Sequence, residues 1–282
     1  SWNSTAMDSV KTRGQGRVLL FLYKETSNLD YKKDADMMFD QWQQIAALES
    51  GLKRQQKRPH PFDSLCMYSS SPFLAEYAKL FDKPDVYDEI VSRLVMSSLQ
   101  MPNAEVGDEK KAGLERETLL NMNTQILGSY AMALVDVLEH LPPNHSSSES
   151  VLTMFQDLAK TIKQAQDKKS GVWWHHLEKN DRGEKYFIAS ASCMFTYALA
   201  KGVHKRYLDN SYQQVAERAY DGIIQQFIRE HADGNLDLCE SCRPGEQRGN
   251  DSPYCSHPDR INTPDGIGSF ITASIEIYKL NQ

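Results

Sequence analysis

Asp63 is the residue of this 282-residue chain whose type and setting most clearly suit chemistry. It stands in His60-Pro61-Phe62-Asp63-Ser64-Leu65-Cys66-Met67, closely followed by Pro72-Phe73-Leu74-Ala75-Glu76-Tyr77. An acid among apolar and aromatic neighbours is held partly out of water. Desolvation disfavours the ionised form, so the pKa rises toward the range in which a carboxyl both gives and takes a proton. Acids also cap helices, and Asp63 comes just ahead of a helix whose apolar face runs through Leu74, Tyr77, Ala78 and Phe81. Both readings fit the spacing.

Three loops carry residues suited to a ligand. They are Lys57 to Asp63, Gly171-Val172-Trp173-Trp174-His175-His176, and Ser252-Pro253-Tyr254-Cys255-Ser256-His257-Pro258. Aromatic faces stack on the apolar side of a sugar while polar tips hold its hydroxyls, so aromatics beside acids and histidines suit a carbohydrate. Trp173 is the candidate for stacking. Trp173 and Trp174 fit equally well as ordinary core, and His175 and His176 as surface or capping residues.

Of the five cysteines, Cys66 and Cys193 fall in apolar helical context and read as buried thiols. Cys239, Cys242 and Cys255 crowd one loop with His257, a ligand set that zinc would accept. The segment Arg243 to Tyr254 lacks the ribbon or knuckle patterning of such sites, which favours a disulfide or free thiols. Asn3, Asn144 and Asn250 fit the glycosylation pattern, which matters only in a secreted chain.

Composition bounds the remaining possibilities. The chain is 40% hydrophobic, 25% charged and 10% aromatic, enough apolar material for a sizeable core. Its 38 acids and 32 bases are spread evenly for a net charge of -6, which argues against nucleic acid as partner. No apolar run approaches a membrane span. Ser1 to Ala6 has neither the basic start nor the apolar stretch of a signal peptide, and no initiator methionine, which leaves room for a native N-terminus upstream. A soluble chain is expected, cytoplasmic or secreted.

These side chains must be positioned by helices, because helical periodicity runs almost throughout. A helix rich in small and aromatic residues recurs at Gly16–Tyr23, Pro72–Leu80, Tyr130–Leu138, Cys193–Ala200 and Gly268–Ile277. Amphipathic partners follow the first four, at Tyr31–Ile45, Val86–Leu99, Val151–Ala165 and Tyr212–Ile228. Successive first helices begin about 55 to 75 residues apart, the length of two helices with their loops. A helix apolar nearly all round wants an inner place and an amphipathic one an outer place. The alternation predicts an all-α fold, an (α/α)6-type toroid left incomplete at about four hairpins and one helix, in a single domain over 1–282. Loops at the inner-helix N-termini would then surround a central pit.

These residues resemble glycoside hydrolase family 105, the unsaturated rhamnogalacturonyl hydrolases, which are built as six-hairpin α/α barrels. The likeness is carried by Gly171-Val172-Trp173-Trp174, by Ile188 to Val203 with its Ala189-Ser190-Ala191-Ser192-Cys193-Met194-Phe195 block, and by Gly266 to Glu276. Asp63 to Met67 with Pro72 to Ala75, and Gly16 to Leu20, add to it, in the family's order over nearly the whole chain. The resemblance implies that Asp63 is the catalytic acid/base, that Asp8 is the second acidic residue of the site, and that His60 helps fix the sugar. It implies release of a 4,5-unsaturated galacturonic acid from pectin fragments by hydration of its vinyl ether. The partner is then an unsaturated uronyl oligosaccharide, the chain a monomer or weak homodimer. No cofactor is implied, because protonating an enol ether needs neither metal nor nucleotide.

One block departs from the family. Where it carries Trp-x-Arg-Gly-Asn-Gly-Trp, this chain reads Asn123-Thr124-Gln125-Ile126-Leu127-Gly128-Ser129. Gln125 thus stands where the resemblance puts an arginine that would meet a uronate carboxylate, and the Met101 to Asn121 loop lacks the family's histidine. A non-catalytic sugar-binding or truncated relative is the alternative that this departure keeps open.

Overall fold

The structure, a computed structural model, describes residues 16–53, 62–99, 123–177, 186–247, 253–255 and 260–282. Its helices alternate as the periodicity predicts: α1 (Gly16–Thr26) with α2 (Leu29–Lys53), α3 (Phe62–Leu80) with α4 (Asp85–Leu99), α5 (Thr124–His140) with α6 (Ser148–Ala165), α7 (Ala189–His204) with α8 (Gln213–Phe227), and α9 (Pro264–Leu280) last. The fold class is all-α, with the inner and outer helix types of an α/α toroid. Among the described residues no helix is long and apolar enough to cross a membrane.

The chain divides into two compact units, Ser1–Gln100 with Asp136–Ser148, and Met101–Val135 with Glu149–Gln282. In the first, α3 is buried on every side from Ser70 to Ala78, Phe73 and Leu74 among them, as are Ile90 and Leu94 of α4. Each such side chain contributes about 1.5–3 kcal/mol by leaving water. Tyr77 stacks on Phe39 of α2 with ring centroids 4.3 Å apart, and its hydroxyl donates to Asp36 at 2.6 Å. Asn28 starts α2 by accepting from Asp30 N at 2.9 Å, an N-cap bond.

In the second unit α7 is buried along nearly its whole length, as its run of small and aromatic residues requires. The stripe Val151, Phe155, Leu158 and Ile162 of α6 and the stripe Val215, Ala219, Ile223 and Phe227 of α8 are buried, leaving their charged faces outward. The loop from α6 turns at Gly171, whose φ of +80° and approach to the Arg218 carbonyl, 2.6 Å from where a Cβ would lie, exclude a side chain.

Two features differ from the sequence expectation. Helices α1 and α9 are only half buried: Val18 and Phe21 on the one, and Ile271, Ile275 and Tyr278 on the other, face solvent. The segment with Cys239, Cys242 and Cys255, expected as one loop, carries strands instead. β2 (Ile228–Glu230) and β3 (Leu236–Leu238) make a hairpin, and β1 (Phe187–Ile188), β4 (Ser241–Gln247) and β5 (Pro253–Cys255) make an antiparallel sheet in the order β1-β4-β5. β1, β2, β3 and β5 sit below the length at which alternation outweighs turn-like composition, and β4 is masked by its Pro244-Gly245.

Candidate active site

Asp63 is the second residue of α3, in its first turn. As a general rule the helix dipole favours the ionised form of a first-turn acid, which opposes the effect of desolvation. The Asp63 side chain, together with Asp8 and His60, lies outside the described residues. Glu76, on the same helix, is 13 positions further on, or about 20 Å along the axis at 1.5 Å per residue. It therefore belongs to the other end.

At that other end Glu76 accepts from Lys24 at 2.6 Å and from Arg17 Nε at 3.2 Å, while Arg17 Nη1 reaches Asp136 at 2.6 Å. Burial works to raise the Glu76 pKa, but the Lys24 hydrogen bond and the Arg17 charge outweigh it and hold the carboxyl below its usual range. Burial drives the pKa of neighbouring His140 down to about 4 against the pull of Glu76. A neutral imidazole 3.9 Å from Glu76 makes no ion pair, so the network is one of arginine, lysine and two carboxylates.

In the second unit the N-terminal ends of α5, α7 and α9 converge on one buried carboxyl, Glu240. Ser190, in the first turn of α7, donates to Glu240 Oε1 through its hydroxyl and, at 3.4 Å, through its backbone N–H. Gln125 Nε2, at the start of α5, lies 2.9 Å from Ser190 Oγ and 3.4 Å from Glu240 Oε1. Thr263, the N-cap of α9, donates to Oε2 at 3.4 Å and accepts from Gly266 N at 3.2 Å. The Glu240 backbone is pinned by Ala189 N on its carbonyl and by its own N–H on the Arg260 carbonyl. A Cβ at Gly266 would fall 2.7 Å from Glu240 Oε2, so glycine is what leaves the carboxyl its space. Burial pushes the Glu240 pKa up, while the hydrogen bonds from Ser190 and Thr263 and the charge of Arg260 oppose that rise.

Asn123 joins this cluster to the aromatic loop. Its Oδ1 accepts from Gln125 N at 2.8 Å, an N-cap bond, which leaves its Nδ2 to donate to His175 Nε2 at 3.0 Å. That assigns the His175 proton to Nδ1, and burial correspondingly lowers the imidazole's pKa. His175 stacks on Tyr186 with centroids 4.8 Å apart, and Trp174 leans on Phe187 at 4.2 Å. Trp173 takes the core place among the two open to it. It is fully buried, its indole N–H donates to the Ile162 carbonyl at 2.8 Å, and its ring meets Phe195 edge-on.

Cys239 is disulfide-bonded, which removes that sulfur as a thiolate ligand. Cys242 is a buried free thiol with its pKa pushed up to about 12, and Cys193 is shifted further in the same direction. Among the described residues no group of three or more His, Cys, Asp or Glu could hold a metal ion. The side chains of Cys255 and His257 fall outside them. Glu240 escaped the sequence reading because it sits among the cysteines, yet Leu238 and Cys239 before it form the same acid-among-apolar signal that marked Asp63.

The family model of Glycosyl Hydrolase Family 88 matches residues 2–281. A glycoside hydrolase from family 105 of C. acetobutylicum ATCC 824 is similar in structure, with a TM-score of 0.70 at 27% identity over 94% of this chain and 78% of that one. A glycosyl hydrolase family 88 structure from Bacteroides vulgatus gives 0.67 at 17% identity over 95% and 74%. A polysaccharide lyase gives 0.63 at 18% identity over 95% and 73%. The last two likenesses concern the fold alone.

Proposed function

Because the chain belongs to glycosyl hydrolase family 88, and is thus a hydrolase acting on glycosidic bonds, we propose that it releases 4,5-unsaturated galacturonic acid from rhamnogalacturonan oligosaccharides. In this reading Asp63 is the acid/base, with Asp8 and His60 about the sugar. Trp173, wholly buried, would serve substrate binding by bracing the loop that carries Trp174 and His175. The chain would work as one domain, monomeric or weakly dimeric.

The observation that carries the proposal is Asp63 in the first turn of α3, a helix buried on all sides from Ser70 to Ala78. The likeness to the family 105 hydrolase supports it. Asp63, protonated, gives its proton to the double-bond carbon remote from the ring oxygen. The cation left on the other carbon is stabilised by that oxygen. Water then adds to it, losing a proton to the Asp63 carboxylate and restoring the acid. The hemiketal so formed opens, and the glycosidic bond breaks as the leaving sugar departs with a proton. One carboxyl suffices because acid and base act in turn, unlike ordinary glycoside hydrolysis with two carboxylates across the bond. The reaction needs a carboxyl pKa near working pH, which desolvation supplies if it outweighs the helix dipole.

Gln125 favours a second reading, a sugar-binding relative without turnover, since a neutral amide replaces a guanidinium at a carboxylate position. Incubation with unsaturated galacturonyl-rhamnose separates the two. Hydrolysis removes the double-bond absorbance in step with rhamnose release, whereas binding alone leaves both unchanged. An absorbance rise on intact polysaccharide would instead identify elimination and overturn the hydrolase proposal.

A further inference from the structure

We propose that Asn144 is a modification site carrying an N-linked oligosaccharide, on a chain that matures in an oxidising secretory compartment. Two observations in different parts of the chain carry it, and neither depends on the reaction proposed above.

The acceptor pattern occurs at Asn3, Asn144 and Asn250, and Asn144 is the one that falls among the described residues. Asn144-His145-Ser146 lies in the turn between α5 and α6. His145 is the side chain that this turn sends inward. Its ring, 14% exposed, meets Tyr87 of α4 edge-on at 5.8 Å and faces the Asp88 carboxylate at 3.5 Å. Its Nδ1 accepts from Ser147 N at 3.2 Å, and its backbone N–H donates to the Pro142 carbonyl, which also takes the Ser148 hydroxyl at 2.8 Å. With the middle residue pinned, Asn144 and Ser146 on either side of it are both exposed. An oligosaccharide on Asn144 therefore projects into water without disturbing the contacts that anchor the turn, as a bulky, solubilising surface group must.

The transfer joins Asn144 Nδ2 to the anomeric carbon of an oligosaccharide carried on a lipid diphosphate. A C–N bond forms and the bond from that carbon to the diphosphate oxygen breaks. The lipid diphosphate leaves with the electron pair, and the amide gives up one proton to solvent. The second observation is Cys239, which is disulfide-bonded and fully buried. Disulfides in reducing compartments are the transient, exchanging kind, which needs an accessible sulfur. A bond sealed in the core is a structural one, and such bonds persist in the secretory route, where the glycan donor also works.

The test maps the protein isolated from its own source, and secretes the full chain from a eukaryotic host for the variants. Releasing N-glycans with a glycan amidase in heavy-oxygen water should convert Asn144 of the native protein to a labelled aspartate. The same treatment should increase mobility on a denaturing gel. Asn144→Gln and Ser146→Ala, which act on the two ends of the acceptor pattern, should each reduce that shift by one glycan, while Ser146→Thr should keep it whole. Alkylation in denaturant before reduction should tag Cys193 and Cys242 and leave Cys239 for a second tag applied after reduction. A native protein whose Asn144 peptide is wholly unmodified overturns the site, as does a gel shift that neither Asn144→Gln nor Ser146→Ala diminishes. Cys239 tagged before reduction removes the oxidising compartment and overturns the proposal as well.

Discussion

Arg17 Nη1 lies 2.6 Å from Oδ2 of Asp136, a side chain with no solvent exposure, and through Nε the same guanidinium reaches Glu76 at 3.2 Å. One cation thus answers two buried carboxylates on two different helices. Breaking such a pair leaves an uncompensated charge, which costs more than the pair contributes. Arg17→Leu should destabilise the protein by about 2–4 kcal/mol, discounted for the arginine's partial exposure. Chemical denaturation of the variant measures this, and a loss under about 1 kcal/mol would show the network to be dispensable.

Acid should weaken the same region in two stages. His140 is held down to about 4 from 6.5, so between those values the unfolded chain takes up a proton that the native one refuses. Stability from this group is complete above pH 6.5 and is lost as pH falls toward 4, by about 3 kcal/mol at most. Glu76, also depressed, adds a further loss only below its ordinary value of 4.5. Thermal melting from pH 7 to 4 should show a steady decline that His140→Gln flattens in the upper part.

Gly266→Ala should disturb the site more than the fold. Its new methyl would meet Glu240 Oε2 at 2.7 Å, and Glu240 is tied to Ser190, Gln125 and Thr263. The expected result is a fall in kcat/KM of about tenfold with a modest destabilisation of about 1–2 kcal/mol. A variant with normal kinetics on the unsaturated disaccharide would show that the Glu240 hydrogen bonds do not bear on turnover.

Native-state labelling should spare Cys193 and Cys242. Both are buried and both have raised thiol pKa values, so little thiolate is present or accessible at pH 8. Peptide mapping after alkylation should find them modified only once the chain is denatured. Rapid native labelling of Cys242 would contradict the burial that β4 gives it.

Helix hairpins were legible because a 3.6-residue period survives over three to six turns, and because Leu127 to Leu138 of α5 and Ser190 to Val203 of α7 are too apolar for any outer place. The half-burial of α1 and α9 was not, since Val18, Phe21, Ile271 and Ile275 are apolar whether covered or bare. The strands were hidden by shortness, although Ile228 and Leu236 to Leu238 flank an Asp233-Gly234 turn that signals a hairpin in hindsight. The neighbours of Asp63 mark it in the sequence as the candidate acid. Glu240 carried the same signal, but its partners Gln125 and Ser190 lie 115 and 50 positions away, and only folding brings them to it.

The central claim is that the Asp63 carboxyl both delivers and recovers the proton, and Asp63→Asn tests it most directly, since the amide keeps the shape and loses the exchange. Followed by loss of double-bond absorbance from unsaturated galacturonyl-rhamnose, the variant should fall at least about a thousandfold below the parent in kcat, with Kd within a few-fold. A variant that turns over at the parent's rate would contradict the account and send the search for the acid elsewhere in the fold.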